Sequence, residues 1–181
     1  MERKTEPGKF YYFYPQAVAL IGVRSNIMPA AWHTPLSADP PLYGIVISPK
    51  RYTYELLLKE TGFTANFLDL EHAAIAAKTG SCSGKDIRKL DEFGIPHSPA
   101  ETVNGPILDD AYAVYECERV DVREYGDHML VVGRITLLHY RKDHAEAGQI
   151  VDEHVSKPTL YFGKDRYLTI DPKTLQILTG K

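Results

Sequence analysis

The sequence predicts a mainly β protein with α insertions, an antiparallel barrel that is closed or nearly closed, and three observations predict it. Short apolar runs of strand length, bounded by Gly, Pro or Ser, outnumber the helical segments. Tyrosine is enriched, with 12 residues against 6 phenylalanines and 1 tryptophan, and it favours strands and half-wet surfaces where its hydroxyl can find a partner. Helical patterns are confined to the middle third and do not alternate regularly with strands, which argues against a doubly wound sheet.

Taken in order, Ala17 to Val23 and Leu42 to Ile47 are apolar runs of strand length, the second ending at Ser48-Pro49. Between them, Pro29, Pro35, Pro40 and Pro41 remove backbone donors and forbid a long helix or a central strand. From Thr53 the pattern turns helical, with Tyr54, Leu57 and Leu58 on one face and Gly62 as the stop. Phe63 to Phe67 reads as a strand. Leu68 to Lys78 reads as an alanine-rich helix ending at Thr79-Gly80, and Asp86 to Phe93 as another ending at Gly94. Ala111 to Glu124 alternates, but Tyr115 and Cys117 sit on one parity and Val120 and Val122 on the other, so this strand must bulge or bend near Glu118. Met129 to Tyr140 is its antiparallel neighbour across Tyr125-Gly126-Asp127-His128, whose Gly and Asp favour a tight turn. Asp143 to Val155 is polar and poorly patterned. Thr159 to Phe162 and Arg166 to Ile170 close the chain as a strand pair across Gly163-Lys164-Asp165. With no internal repeat, residues 1–181 read as one domain.

Composition excludes several function classes. A net charge of -3 without blocks of like charge disfavours a nucleic-acid surface. Two cysteines, far apart, write neither a disulfide framework nor a cysteine zinc site. No run approaches the length of a membrane span, and the tyrosines and proline of Phe10 to Pro15 replace the smooth apolar core of a signal peptide. The expectation is a soluble, cytoplasmic chain.

Four segments could carry chemistry. Ser48-Pro49-Lys50-Arg51-Tyr52-Thr53 follows a strand and opens a helix. It places two hydroxyls, two cations and orphan N–H groups where a phosphate could sit; the alternative is a plainly capped helix with Ser48 or Thr53 at the N-cap. The proline-rich stretch holds Trp32 beside His33 and Thr34. Irregular backbone there would expose N–H and C=O groups, and Ala30 and Ala31 are small enough to admit a flat ring such as an isoalloxazine, unless Trp32 merely anchors a surface loop. Gly126-Asp127-His128 could aim an imidazole at a ligand or be turn chemistry alone. Gly80-Ser81-Cys82-Ser83-Gly84 matches a nucleophile pattern with Cys82 as a thiol, but a helix rather than a strand is expected before it. His144, Asp152 and His154 have spacing that fits no recognised metal ligand set, so no metal site is expected.

In order, Asn26-Ile27-Met28-Pro29-Ala30-Ala31-Trp32, Ser37 to Leu42, Ser48 to Thr53, Phe63-Thr64-Ala65-Asn66 and Gly126-Asp127-His128 resemble the flavin reductase-like family, most closely its flavoredoxin-type members. The resemblance implies an antiparallel split β-barrel of the FMN-binding type, with one noncovalent FMN per subunit near the interface of a homodimer. It also implies site residues. Asn26 and Ala30, Ala31, Trp32, His33 and Thr34 would line the ring and ribityl chain, and Ser48, Arg51, Tyr52 and Thr53 would hold the phosphate. His128 matches a histidine near the cofactor, Lys89 a lysine after an aspartate, and Phe162 a C-terminal aromatic near the ring; around the last two the surrounding residues depart from the family pattern.

The function expected is that of an FMN-dependent oxidoreductase. It would take hydride or electrons from a donor and pass them to a flavin, a protein or a small acceptor, with no side chain as obligate catalyst and His128 as an assistant. The chain has no Gly-x-Gly-x-x-Gly fingerprint, so a nicotinamide donor would dock transiently against the flavin. The alternatives are a flavoredoxin-type carrier without NAD(P)H turnover and a Cys82 thiol hydrolase or amidotransferase.

Overall fold

The structure, a computed structural model, describes residues 1–6, 8–146 and 150–178. After a one-turn 3-10 helix at Phe10–Tyr12, the chain forms β1 (Gln16–Ala17), β2 (Ala19–Val23), β3 (Asn26–Ala30), β4 (His33–Ala38) and β5 (Pro41–Ile47). Helix α1 (Tyr52–Lys59), β6 (Gly62–Leu68), α2 (Ala73–Gly80) and the single turn α3 (Lys89–Glu92) follow. Then come the short strands β7 (His97–Pro99) and β8 (Pro106–Leu108), the long β9 (Ala111–Tyr125) and β10 (His128–Tyr140), and the two-residue strands β11 (Ala145–Glu146), β12 (Ile150–Val151), β13 (Leu160–Tyr161) and β14 (Tyr167–Leu168). Among the described residues no helix is long and apolar enough to cross a membrane.

Seven strands make one antiparallel sheet in the order β3-β2-β6-β9-β10-β5-β4. Its two edges, β3 and β4, are consecutive in the chain and are joined only by Ala31 and Trp32. The sheet must therefore curl until its edges meet at that dipeptide, yet no ladder joins them. The barrel is split. The prolines fit this arrangement, because Pro29 and Pro35 sit in the two edge strands, where a missing N–H costs no ladder bond inside the sheet.

Side-chain alternation along β2 sends Ala19, Ile21 and Val23 into the barrel with Ile45, Phe63, Ala65, Cys117 and Val131, while Val18 and Leu20 join an outer cluster with Ile27, Ala76, Leu90, Ile95 and Leu108. Each large apolar side chain buried in this way contributes about 1.5–3 kcal/mol. Burial inside the barrel also pushes the Cys117 thiol up to about 12, so it is an inert packing group.

Several boundaries differ from the sequence reading. The buried face of α1 is Thr53, Leu56 and Leu57, while Leu58 is exposed. The helix expected from Leu68 begins at Ala73, because β6 extends through Leu68 and Asp69 bridges to Pro158. The helix expected over Asp86 to Phe93 shrinks to Lys89–Glu92, since the N–H groups of Asp86 and Ile87 turn back to the Ser83 carbonyl. The irregularity expected near Glu118 is present as two register shifts in the β9–β10 ladder, one on each side of it.

The β7–β8 hairpin is fastened to the outer wall by Glu116 of β9. Its fully buried carboxylate accepts from the N–H groups of Glu101 (3.0 Å) and Thr102 (2.6 Å), the Thr102 hydroxyl (2.7 Å) and His139 Nε2 (2.7 Å). Burial alone would raise its pKa, but these donors outweigh it and hold the group at about 2.

Candidate functional site

Where the barrel splits, stretches far apart in sequence open onto one cleft of about 720 Å³, within the range of roughly 300–1,000 Å³ usual for small-molecule and cofactor sites. One wall is the link between the two sheet edges, where Ala30 and Ala31 leave the backbone uncovered beside Trp32. The indole is braced edge-on by Tyr11 at 5.3 Å and lies 4.8 Å from the His128 ring at the start of β10. The β9–β10 turn brings His128 here because Gly126 adopts φ 64°, a left-handed conformation that glycine takes without strain. Asp127 Oδ1 lies 2.7 Å from His128 Nδ1, which holds the Asp127 carboxyl below the usual carboxylate range. Since a carboxylate only accepts, that bond fixes a proton on Nδ1 and leaves Nε2 free for a ligand.

The start of α1 lines the same cleft through Ser48, Lys50, Arg51, Tyr52 and Thr53. The helix begins there because Pro49 blocks continuation of β5 and Arg51 takes the extended N-cap conformation. No side chain caps it, and among the described residues the N–H groups of Tyr52 and Thr53 have no backbone acceptor outside the helix. Neither Ser48 nor Thr53 therefore caps the helix, which removes the plainly capped alternative. The Thr53 hydroxyl is buried and accepts from Asn26 Nδ2 at 2.9 Å, so the positive end of α1 stays open to an anion beside the Arg51 guanidinium.

The floor and remaining wall come from α2, the loop after it, and α3. Ser81, Cys82, Ser83 and Gly84 line the cleft, but the loop follows a helix, so it lacks the strand-to-helix elbow that a Cys82 nucleophile needs. Cys82 Sγ lies 3.5 Å from the Lys78 carbonyl. Buried Lys89 donates to the carbonyls of Thr79 at 2.6 Å and Ile27 at 3.1 Å, tying α2 to β3. Desolvation lowers its pKa, Cys82 raises it and Arg51 lowers it further. Among the described residues, buried Asn26 Oδ1 has no hydrogen-bond partner. A Cβ on Gly84 would lie 2.1 Å from that oxygen, so only glycine lets the loop close over Asn26.

The structure thus brings Ala30, Ala31, Trp32, Ser48, Arg51, Tyr52, Thr53, Lys89 and His128 to one cleft, with Asn26 directly beneath. Three other expected site residues lie elsewhere. His33 turns into the end of the barrel, where its ring meets Tyr43 and the Ala17 carbonyl. Thr34 is exposed on the edge strand, its hydroxyl 3.3 Å from the Pro35 carbonyl. Phe162 packs under Arg166 at 5.9 Å, and its neighbour Tyr161 faces the cleft together with Asp165 and Tyr167. Tyr161, Asp165 and Tyr167 were not legible as site residues, and the Ser81 to Gly84 loop was singled out as a thiol nucleophile pattern rather than as a wall of the cleft. His144 hydrogen-bonds Ser156 at 3.0 Å and Asp152 accepts from the His154 N–H, and among the described residues no group of three or more His, Cys, Asp or Glu could hold a metal ion.

The chemistry of this donor set fits a ligand that carries both a flat apolar part and an anionic group. The family model for the flavin reductase like domain matches residues 11–171. An uncharacterized protein of Pyrococcus abyssi is 35% identical over 140 residues, covering 75% of this chain and 80% of that protein. An FMN-binding protein from Thermus thermophilus, crystallised with 1-cyclohex-2-enone, superimposes with a TM-score of 0.85 at 36% identity over 98% of both chains. A flavoredoxin from Methanosarcina acetivorans shares the fold, with a TM-score of 0.84 at 21% identity over 100% of this chain and 95% of that one. With its split barrel and a family match running nearly end to end, the chain belongs to the flavin reductase-like family.

Proposed function

We propose that this chain binds FMN noncovalently and works as an oxidoreductase, moving hydride or electrons from a donor to a second acceptor. The observation that carries this reading is that the Ala31–Trp32 corner and the uncapped start of α1 open onto one cleft. When bound, FMN supplies the hydride and electron chemistry. The chain supplies the setting. Arg51, Ser48 and the free N–H groups of α1 hold the phosphate. Ala30 and Ala31 let the ring approach the main chain, and Asn26, beneath the Gly84 loop, holds the Thr53 hydroxyl in place. His128, its Nδ1 proton held by Asp127, presents Nε2 to whatever docks beside Trp32.

A nicotinamide is the donor we favour, docking transiently because the chain has no dinucleotide fingerprint. For the acceptor, the relative from Thermus thermophilus offers support: it was crystallised with 1-cyclohex-2-enone and, at 37% identity, with p-hydroxybenzaldehyde. Small ring carbonyl compounds are the acceptor class this favours, and Tyr161 and Tyr167 give the cleft an aromatic side to receive them. A homodimer belongs to the same reading, supported by the exposed apolar residues Val120, Tyr125, Leu138 and Tyr140 along the β9–β10 hairpin.

The test is to purify the protein, reconstitute it with FMN, and mix it anaerobically with NADH and with NADPH. Flavin absorbance that appears on reconstitution and bleaches with either nucleotide is the expected result. A protein that takes up no FMN refutes the reading; one that binds FMN but is reduced only by a protein donor is a flavoredoxin-type carrier.

A further inference from the structure

The 3-10 turn at Phe10–Tyr12 joins two aromatic linings of the cleft that stand on different sheets. Trp32 is on the link between β3 and β4 of the barrel sheet, whereas Tyr161 is on β13, whose described partners are β1 and β14. Tyr11 meets Trp32 edge-on at 5.3 Å, Tyr12 meets Tyr161 edge-on at 6.4 Å, and the two neighbours meet each other edge-on at 4.7 Å. Among the described residues, the cleft is lined by Trp32 and Tyr161 but not by Tyr11 or Tyr12. Of the five consecutive aromatics Phe10 to Tyr14, Phe10, Phe13 and Tyr14 are exposed, and the two half-buried ones are those that make this bridge. The turn is closed by the Tyr12 N–H on the Lys9 carbonyl and the Phe13 N–H on the Phe10 carbonyl, both at 3.1 Å. Just beyond it, Gln16 pairs with Tyr161 in the β1–β13 ladder. Tyr12 also lies against Gly163, where φ is 81° and a Cβ would come within 2.6 Å of its ring, so glycine alone leaves it that room.

We propose that Tyr11 and Tyr12 are specificity-determining positioning residues: a two-ring clasp that fixes Tyr161 relative to Trp32 and so limits the size of ring admitted beside the indole. The inference rests on the reading that small ring carbonyl compounds are taken up there. Contacts in series hold only while each is intact, so breaking one opens the clasp as far as breaking both, and the two tyrosines act as a single coupled unit. Once the clasp is open, the linings grip a single ring less well, because part of the binding energy goes into ordering them. The same looseness admits a larger ring. Edge-to-face aromatic pairs carry enough energy to change an affinity by about 2- to 12-fold.

The test measures, by calorimetry on the FMN-reconstituted protein, the binding of p-hydroxybenzaldehyde and of the two-ring 6-hydroxy-2-naphthaldehyde. Preference for the single ring should fall by about 2- to 12-fold in Tyr11→Ala. It should fall by the same factor in Tyr12→Ala and no further in the double variant, with FMN affinity unchanged throughout. Tyr11→Phe and Tyr12→Phe keep the rings and should keep the preference. Gly163→Ala crowds Tyr12 out of its place without altering either tyrosine, and should reproduce Tyr12→Ala; should an alanine variant at a tyrosine fail to fold, leucine there keeps the bulk and removes the ring. Trp32 is the only tryptophan, so its quenching by acrylamide in the flavin-free protein reads the clasp without a cofactor. Quenching should rise in Tyr12→Ala, although it is Tyr11 that touches the indole. An unchanged preference, single effects that add in the double variant, or unchanged Trp32 quenching in Tyr12→Ala overturns the proposal. An unaltered protein that takes up FMN but neither aldehyde refutes the acceptor class and the clasp with it. One that takes up no FMN refutes the cofactor reading, and Trp32 quenching then decides the clasp alone.

Discussion

Glu116 and the floor of the cleft are both buried polar places, and they are built in opposite ways. At Glu116, two N–H groups, a hydroxyl and an imidazole all converge on one carboxylate. Among the described residues, the Tyr52 and Thr53 N–H groups at the cleft lack an acceptor outside the helix, and Asn26 Oδ1 beneath it has no donor. The closed arrangement fastens one element to another; the open one keeps hydrogen-bonding capacity that the proposed function assigns to a ligand. Burial of charge alone does not mark a functional site, whereas hydrogen-bonding capacity left unfilled does.

The comparison can be broken by mutation. The largest effect is expected for Glu116→Ala, which leaves four donors without their acceptor and should cost about 3 kcal/mol in urea unfolding while leaving the FMN affinity of the folded protein unchanged. A loss of flavin affinity would join the two regions and end the contrast. Next, acid should act through the same group. The folded pKa of Glu116 is about 2, below the ordinary 4.5, so its contribution is complete above the ordinary value and is lost as pH falls through the folded one. That shift corresponds to about 3 kcal/mol, and unfolding curves from pH 6 to 2 should fall more shallowly in Glu116→Gln.

On the cleft side the signs reverse. Arg51→Ala should weaken FMN binding by about 1.5–3 kcal/mol, the worth of a hydrogen bond to a charged group, with stability unaltered; titration and thermal melting check the two halves. Gly84→Ala should weaken it by about 1–3 kcal/mol, because the loop must back away from Asn26 Oδ1. The smallest effect belongs to Cys82→Ala, which should leave colour and turnover intact, and loss of turnover there would revive the thiol reading.

The long strands were legible almost to the residue, because their alternation and the Gly126-Asp127 turn are local signals. The uncapped start of α1 was legible as a candidate from Ser48 to Thr53, but its decisive property was not: that the Thr53 hydroxyl is taken by Asn26 is a contact across 27 positions. Tyr161 was hidden for a related reason. A two-residue strand has no pattern from which to judge which of Tyr161 and Phe162 faces inward, and the pairing of Tyr161 with Gln16 of β1 decides it. His33 entered the expected site with the run from Ala30 to Thr34 that the resemblance implies, although successive strand residues point to opposite sides.

The dipeptide that ties the two sheet edges also acts as a gauge. From Ala30 to His33 there are three Cα–Cα steps, so β3 and β4 can stand no more than about 11 Å apart at that corner. This upper bound is covalent and holds whether or not anything is bound. The slot beside the indole is therefore cut to size when the chain folds, and an incoming ring meets a seat that need not be ordered around it. Lengthening the link by one glycine would widen that bound without touching any side chain of the cleft.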